Sequence, residues 1–514
     1  MSTHRKILGG FVGGLGLTVI NIVVAFVQFR LLFSFLSQEQ AGVWLLFLSI
    51  GSYVVLFDLG IGPTLGREIS FSIGDNTISE EQRIARVSTL IRTCTGLAAG
   101  LALLVLLLGL TAGWAYLRTT IPPSLVPSAH EAWIIYVLSA AVNLVGQGWF
   151  AGIYGLGEVF TEKLLRSIGQ FVGLALLAAA LWFRLGLAGM AGASVVQSII
   201  TILLAKRTLR LGKQDLFVHG GFDIAIIRRM VGPSLKYAGT LLGGILILQT
   251  DNLVIASRLG TSLIPNYQAV AKLVTTLMGL STMLIVSTTP FLSQAHAQEN
   301  TAEIKRLLHR NLKFSLSTIV VLGSVLACFA DRIVSLWLGP GHFVGFSVVW
   351  VLLLMVLLET HHASMATATM ATGRIVFLAP AFIAGVLNIG FSVYLSAKYG
   401  LIGVAMGTLC AQLVTNSWYV PWYTMRQFHM GFADHLRRVV LPVLTVLVLT
   451  LGVGYAVRLA VPSSMTLLSI VFGATSIAVV GTIAVMILVL SPGEKSYLVL
   501  QAHKRLGRTS VFTR

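Results

Sequence analysis

Long apolar runs follow one another along almost the whole chain, and they restrict its fold more than any other feature. A helix that crosses a bilayer needs roughly 20 mostly apolar residues. Only 11% of the 514 residues are charged, whereas a typical soluble domain carries about 25%. The sequence therefore predicts an all-α integral membrane protein and excludes a soluble enzyme, a disordered chain and a disulfide-rich secreted module. Because the runs are continuously apolar rather than alternating, a transmembrane barrel is excluded as well.

The apolar runs are long enough for 14 transmembrane helices. The predicted spans are 8–36, 41–62, 90–116, 133–151, 165–183, 187–205, 232–257, 264–290, 312–330, 346–370, 376–397, 401–424, 439–460 and 466–490. The first run is too long for a signal peptide and lacks a small-residue cleavage site, so it is kept as helix 1. The three cysteines lie inside apolar runs, so no disulfide framework is predicted.

The basic residues predict the orientation of these helices. Most of the 36 Lys and Arg residues fall in one alternate set of connecting segments. The other set carries a single cation in each loop, namely Arg118, Arg184, Arg258, Arg332, Lys398 and Arg458. By the positive-inside rule, both termini are predicted to be cytoplasmic. The net charge of +18 is then explained by membrane topology, and no nucleic-acid partner is predicted.

A weak internal repeat divides the chain into halves. The segment that opens at Gly186 as Gly-Leu-Ala-Gly recurs at Gly400 as Gly-Leu-Ile-Gly, each at the start of the sixth helix of a half. Six crossings return the chain to its starting side, so the two halves are predicted to be parallel copies with a substrate route between them. The predicted parts are an N-terminal six-helix lobe at 1–210, a C-terminal six-helix lobe at 211–430, helices 13 and 14 at 431–490, and a basic cytoplasmic tail at 491–514.

Two cations lie where a membrane span is expected, and such residues are costly and usually functional. Lys272 lies inside helix 8, and Asp251 lies near the outer end of helix 7, so the two side chains are candidates for a salt bridge. The alternative is that Lys272 presents its charge to an anionic substrate. Arg30 in helix 1 either serves the same purpose or extends its charged end to the headgroups.

Together with Asp251, three further titratable residues in the spans are candidates for proton or sodium coupling. Asp58 precedes a Gly- and Pro-containing break near the end of helix 2, where it either caps the break or binds a cation. Glu359 and His362 in helix 10 have the E-x-x-H spacing of di-iron bundles, but such sites need a second E-x-x-H, which the chain lacks. Because histidine titrates near neutral pH, a proton-responsive cluster is the better functional interpretation, with plain polar packing as the alternative.

Amide side chains within or beside the spans are candidates for contacts with sugar hydroxyl groups, although each could equally bond across helices. These candidates are Asn143, Gln147, Gln249, Asn252, Asn388, Gln412 and Asn416.

An ordered set of motifs resembles the polysaccharide flippases of the Wzx type, in the multidrug/oligosaccharidyl-lipid/polysaccharide exporter superfamily. The set begins with Arg30-Leu-Leu-Phe-Ser-Phe-Leu-Ser and Gly42-Val-Trp, followed by Phe57-Asp-Leu-Gly-Ile-Gly. It continues with Gln249-Thr-Asp-Asn-Leu-Val-Ile-Ala-Ser-Arg-Leu-Gly and with Leu336-Trp-Leu-Gly.

The resemblance implies two six-helix lobes around a cavity, with a lateral groove against helices 13 and 14. It implies transfer of an undecaprenyl-diphosphate-linked oligosaccharide across a bacterial inner membrane, for O-antigen (lipopolysaccharide), capsule or exopolysaccharide biosynthesis. It also implies basic groups in the cavity at Lys272 and Arg30. The implied partners are a polymerase and glycosyltransferases, and the implied energy source is a proton or sodium gradient. No cofactor or metal is implied.

Two other functions remain as alternatives. A cation-coupled small-molecule exporter of the same superfamily would have a cavity dominated by acidic and aromatic residues. A membrane enzyme would need catalytic acids, bases or metal ligands in its loops, and the loops here are too short to hold them.

Overall fold

The computed structural model describes residues 3–58, 61–75, 77–212, 221–374, 376–462, 465–490 and 495. Within these ranges the chain is helical and contains no β-strand, which confirms the predicted all-α class. Twelve helical segments of the described residues are long and apolar enough to cross a membrane. The predicted number of 14 is therefore not confirmed. Apart from Lys495, the predicted tail at 491–514 lies outside the described residues.

The helices are numbered here in chain order. In the first half they are α1 (Thr3–Phe35), α2 (Gln38–Ser52), α3 (Val54–Phe57), α4 (Ile61–Gly74), α5 (Glu80–Leu108), α6 (Trp114–Thr120), α7 (Val126–Gly155), α8 (Val159–Trp182), α9 (Gly186–Gly212), α10 (Ile224–Leu248) and α11 (Thr250–Arg258). In the second half they are α12 (Ile264–Ala297), α13 (Thr301–Leu338), α14 (Phe346–Met370), α15 (Leu378–Tyr399), α16 (Leu401–Val414), α17 (Asn416–Gln427), α18 (Phe432–His435), α19 (Leu441–Ala460) and α20 (Thr466–Ala484). Short π-helical segments at Gly109–Gly113, Leu436–Val440 and Val485–Val489 extend α5, α18 and α20.

Two predicted spans, 232–257 and 401–424, are not among the twelve, and each is interrupted in the structure. The first breaks at Gln249, between α10 and α11, and the second breaks at Thr415, between α16 and α17. At the first break, the side-chain amide of Asn388 on α15 donates to the carbonyl oxygens of Leu246 and Ile247 at 3.0 and 3.2 Å. Because the last carbonyls of a helix lack intrahelical donors, Asn388 stabilises the end of α10.

The chain forms two compact units, and each is described by itself. Unit 1 comprises Met1–Pro265 and Ala381–Val404, and unit 2 comprises Asn266–Pro380 and Ala405–Arg514.

In unit 1, α7 packs against α4, α5 and α9, while α8 packs against α1 and α9. Two helices of this unit start with a capping box, in which Ser37 caps α2 and Ser79 caps α5. Gly42 on α2 lies so close to the loop before α12 that an added Cβ would meet the backbone oxygen of Thr261 at 1.9 Å. The Gly-Val-Trp motif therefore marks a place where only glycine allows this backbone approach.

In unit 2, α13 packs against α14, α19 and α20, and α14 packs against α17. Arg458 on α19 forms two hydrogen bonds of 2.8 Å to the carboxylate of Asp331 on α13. The guanidinium of Arg458 also lies 5.0 Å from the ring centroid of Phe346. Such a bidentate pair fixes the register between α13 and α19.

Candidate functional site

A polar cavity lies within unit 1, between helices α2, α3, α7, α8 and α9, and has a volume of about 480 Å³. This volume falls in the range of roughly 300–1,000 Å³ that small-ligand sites occupy. The polar residues that line it are Asp58, Tyr136, Ser139, Asn143, Gln147, Arg166, Ser194, Gln197 and Ser198. We call this space the unit 1 cavity.

Arg166 organises the polar groups of the unit 1 cavity. Its guanidinium donates to Oε1 of Gln147 at 3.1 Å, and Nε2 of Gln147 donates to Oδ1 of Asn143 at 3.0 Å. The guanidinium also pairs with the carboxylate of Glu162, one helical turn earlier, and lies 4.3 Å from the ring centroid of Phe150. The Arg166 side chain remains 42% exposed. These contacts fix the orientation of a cation that still has room to meet a ligand.

Asp58 contributes a carboxylate to the same cavity. It ends α3, and the backbone N–H of Gly62 donates to its carboxylate, so that it caps the first turn of α4. The guanidinium of Arg166 lies within electrostatic range of this carboxylate. Among the described residues, the buried Oδ1 atom of Asp58 has no hydrogen-bond partner.

A second cavity of about 280 Å³ adjoins the first in unit 1 and shares Leu48, Ser194 and Gln197 with it. Trp44 lines this second cavity, and its side chain is 1% exposed. Its indole Nε1 is buried and has no acceptor among the described residues. An unsatisfied buried N–H is costly, so this indole is suited to donate to an oxygen atom of a ligand.

Unit 2 contains a second polar group of residues around Glu359. The Nε2 atom of His362 lies 3.4 Å from Oε1 of Glu359, one turn apart on α14. The amide of Gln412 on α16 donates to Oε2 of Glu359 at 2.7 Å. The side chains of Glu359 and His362 are 15% and 8% exposed, so both carboxylate oxygens of Glu359 have partners in the interior, whereas Oε1 of Gln412 has none among the described residues.

The two cations that the resemblance indicates lie on different units. Arg30 lies on α1 of unit 1 and is exposed, whereas Lys272 lies on α12 of unit 2 and is partly buried. Asp251 is buried in the first turn of α11, where the positive end of the helix dipole favours a carboxylate. The roles of Lys272, Arg30 and Asp251 remain predictions.

The seven amide candidates have different surroundings. Asn143 and Gln147 line the unit 1 cavity. Asn252 donates to the hydroxyl of Ser49 at 2.6 Å, and Asn388 and Gln412 make the bonds described above, so all three bond across helices. Gln249 and Asn416 lie at the two helix breaks, at the end of α10 and the start of α17.

Arg166 lines the unit 1 cavity but is not among the candidates of the sequence analysis, because it is the second residue of the predicted span 165–183. Its partner Gln147 was found only as one amide among seven. A signal was present, since Gln147 and Arg166 are almost equally far from the short connection between Gly155 and Val159, at eight residues before it and seven after it. Antiparallel helices joined by such a connection place equidistant residues side by side.

Asp75, in the connection between α4 and α5, shows how an exposed carboxylate behaves outside the spans. The hydroxyl and the backbone N–H of Thr77 both donate to its Oδ1 atom, at 2.5 and 3.0 Å. These bonds stabilise the charged form and hold the pKa of Asp75 below its ordinary value.

The sequence matches one protein family. Residues 156–342 match the family described as "Polysaccharide biosynthesis protein". A comparison with curated proteins finds no match.

Several solved structures share the fold of this chain. The inward closed conformation of lipid II flippase MurJ aligns with a TM-score of 0.69 and 13% identity, covering 92% of this chain and 98% of that one. An inward-facing multidrug resistance MATE family transporter of the MOP superfamily aligns with a TM-score of 0.66 and 14% identity, covering 82% of this chain and 98% of that one. A MOP superfamily transporter from Pyrococcus furiosus aligns with a TM-score of 0.55 and 13% identity, covering 83% of this chain and 95% of that one.

At these identities the structural likeness shows the fold alone. The shared fold is that of multi-pass membrane transporters and flippases. The family match over residues 156–342 and the shared fold agree with the resemblance of this chain to the Wzx-type polysaccharide flippases.

Proposed function

We propose that the protein is a flippase that moves an undecaprenyl-diphosphate-linked oligosaccharide across the bacterial inner membrane by alternating access. The observation that carries the proposal is the match of residues 156–342 to a polysaccharide biosynthesis family. The matched segment includes α8, which bears Arg166, and α12, which bears Lys272. The product would serve the assembly of O-antigen, capsule or exopolysaccharide.

The unit 1 cavity supports a sugar as the polar part of the substrate. A sugar that leaves water loses hydrogen bonds. Each polar group left unpaired in an apolar medium costs about 2–7 kcal/mol of free energy. Asn143, Gln147 and Gln197 offer amide groups there, while Asp58 offers a carboxylate oxygen without a partner among the described residues. These groups are suited to replace the water around sugar hydroxyls.

An apolar groove in unit 2 supports a polyprenyl chain as the other part of the substrate. The groove has a volume of about 320 Å³ and lies between α13, α14 and α19. Its walls include Trp350, Leu354, Leu447 and Leu451, together with the hydroxyl-bearing side chain of Ser324. The hydroxyl of Ser324 is already bonded to the carbonyl of Val320 at 2.8 Å. An apolar groove whose hydroxyl group already has a hydrogen-bond partner fits an isoprenoid tail that stays in a lipid-like environment.

Lys272 and Arg30 are assigned to the diphosphate in this proposal. A guanidinium and an ammonium form charge-assisted hydrogen bonds with phosphate oxygens, and these are roughly twice as strong as neutral ones. The lobes at 1–210 and 211–430 are proposed to expose the bound headgroup alternately to the two sides. With the basic segments inside, both termini lie in the cytoplasm, where glycosyltransferases would supply the substrate. A polymerase would act on the product at the other face.

Deletion of the gene from its source organism tests the proposal. We expect surface polysaccharide to be lost and the lipid-linked repeat units to accumulate in the inner leaflet, because their synthesis continues while their transfer stops. Intact surface polysaccharide without accumulation of these intermediates would exclude the proposed function.

Substitution of Lys272 tests the diphosphate assignment separately. Lys272→Ala is expected to abolish export at a normal protein level, and Lys272→Arg to retain part of it, because the charge is kept. Equal export by the wild type and both variants would remove Lys272 from the site while leaving the flippase proposal in place.

A cation-coupled exporter of small molecules is the second candidate, and the unpartnered carboxylate oxygen of Asp58 in the unit 1 cavity favours it. It predicts altered drug susceptibility after deletion and unchanged surface polysaccharide. The exposed guanidinium of Arg166 in the same cavity favours a polar or anionic substrate over a cationic drug.

A further inference from the structure

Three histidines from three different helices form a row in unit 2. Nε2 of His361 on α14 lies 3.0 Å from Nε2 of His435 on α18. The ring of His309 on α13 is nearly parallel to the ring of His435, with the centroids 6.3 Å apart and an interplanar angle of 18°. We call these residues the histidine row. They are not part of the cavity or the groove to which the proposed function assigns a substrate.

The short contact between His361 and His435 limits the number of protons that the pair can hold. In a neutral pair one Nε2 carries a hydrogen and donates, while the other is bare and accepts. One added proton binds the bare Nδ1 of the donor ring and converts the contact into a charge-assisted imidazolium–imidazole bond. A second proton would put a hydrogen on both Nε2 atoms, so the bond between α14 and α18 would be lost.

Two nitrogen atoms of the row have no partner in the part of the chain that the structure describes. Nδ1 of His435 and Nε2 of His309 are buried without a hydrogen-bond partner among the described residues. His435 is 3% exposed, so water does not readily reach it from the surface. A buried ring nitrogen without a partner is unfavourable, which makes it a place where a proton or a single water molecule is held.

Charged groups face the row from every helix around it. On α14, Glu359 and His362 lie within one turn of His361. Asp434 precedes His435 and pairs with Arg438 at 2.5 Å. Cations of α13 lie near His309, namely Lys305, Arg310 and Lys313. Glu359 pairs with His362, so Asp434 is the acidic group beside the bonded pair that favours a positive charge there, while Arg438 and the cations of α13 oppose a charge on His309.

We propose that the bonded pair His361–His435 is a proton-binding site that couples proton movement to a change in the packing of α14 against α18. The proton comes from hydronium, forms one N–H bond at a ring nitrogen, and leaves when that bond breaks as the pair separates. The coupling to transport rests on the proposed function, whereas proton binding by the pair does not. Among the described residues, no group of three or more His, Cys, Asp and Glu side chains is arranged to hold a metal ion, and a proton is the ligand that fits the space.

The first test measures the protonation of the pair directly. Full-length protein with ¹⁵N-labelled histidine is purified into lipid nanodiscs, and the imidazole nitrogen resonances are followed by NMR as the pH is lowered. We expect the pair to take up its two protons in steps separated by more than about one pH unit, as interacting sites do. In His435→Gln, an amide occupies the place of Nε2 but cannot be protonated, so His361 should titrate in a single step. An unchanged His361 titration in His435→Gln would overturn the proposal.

The second test uses export. Surface polysaccharide export is measured with and without a pH gradient for the wild type, His361→Gln, His435→Gln and the control His296→Gln, whose side chain is exposed at the end of α12. We expect the gradient-dependent part of export to fall at least about fivefold in both pair variants, which corresponds to the low end of typical coupling free energies. The control should keep this part of export. Gradient dependence equal to the wild type in both pair variants would contradict the coupling. Failure of the gene deletion to affect polysaccharide would instead reject the flippase proposal, and the NMR result would still decide on the proton site.

Discussion

The unit 1 cavity and the cluster around Glu359 contain the same kinds of side chain, but they arrange them differently. In unit 1, Arg166 and Gln147 line a cavity of about 480 Å³, and the Arg166 side chain is 42% exposed. In unit 2, Glu359 is 15% exposed and bonds to His362 and Gln412. Polar groups that face open space can exchange partners with a large ligand, whereas groups that satisfy one another in the interior can exchange only a proton. Substitutions of side chains that line the unit 1 cavity should therefore affect transport, and substitutions in the cluster around Glu359 should affect stability and proton coupling.

Among the side chains of the two polar regions just compared, the largest effect is expected for Arg166→Ala, which removes the cation of the unit 1 cavity. Loss of a charged hydrogen-bonding group costs about 1.5–3 kcal/mol, which corresponds to a loss of export of roughly tenfold to a hundredfold. Arg166→Lys should keep part of the activity. Lys163→Ala on the same helix is the matched control, since Lys163 is exposed and does not line the cavity. If Arg166→Ala exported as much as the control, a cation that lines the cavity would matter no more for export than a cation on the surface of the same helix.

A matched pair of glutamine substitutions sharpens the contrast between the units. Gln412→Leu leaves the buried Oε2 of Glu359 without its donor, and we expect it to lower the free energy of unfolding by about 1–3 kcal/mol. Gln147→Leu should change the unfolding temperature much less, because Gln147 lies beside open space, and should reduce export instead. Thermal unfolding of both purified variants and their export in cells give the four values. A larger loss of stability in Gln147→Leu together with a larger loss of export in Gln412→Leu would contradict the comparison.

A smaller effect is expected for two tryptophans in unit 1. Trp44→Phe removes an indole N–H that has no acceptor among the described residues, so export should fall a few-fold, with stability unchanged or improved. Trp133→Phe removes an N–H that already donates to the carbonyl of Gly109 at 2.8 Å, so it should reduce stability by about 1 kcal/mol. Export assays and thermal unfolding distinguish the two results. Equal stability losses in both variants would show that the Trp44 N–H is also satisfied internally.

The smallest effect is expected for Asp75, which belongs to neither polar group. Its folded pKa is lowered by the two bonds from Thr77, so its contribution to stability is complete above the ordinary aspartate value of about 3.9. That contribution is lost as the pH falls through the lowered folded value. Asp75→Asn should therefore differ slightly from the wild type in unfolding temperature at neutral pH, and the difference should vanish in acid. A difference that does not change with pH would contradict this assignment.

The sequence predicted the membrane class and most spans because burial in a bilayer requires long apolar runs, which can be recognised locally. It also brought Glu359 and His362 together, because a spacing of three residues places side chains on one face of a helix. It did not predict the interruption at Gln249, because the stabilising amide of Asn388 comes from a helix more than a hundred residues later. The position of Arg166 depended in the same way on the packing of α7 against α8, which hydropathy does not report.

Transfer of the substrate by the purified protein tests the proposed function most directly. Full-length protein is reconstituted in liposomes that contain a fluorescent undecaprenyl-diphosphate-linked oligosaccharide, and the fraction of label accessible to an external quencher is followed over time. The proposed function predicts that the wild type makes the inner-leaflet label accessible, and that Arg166→Ala and Lys272→Ala slow this transfer while Lys163→Ala does not. Label that stays inaccessible with the wild-type protein, as in protein-free liposomes, would contradict it.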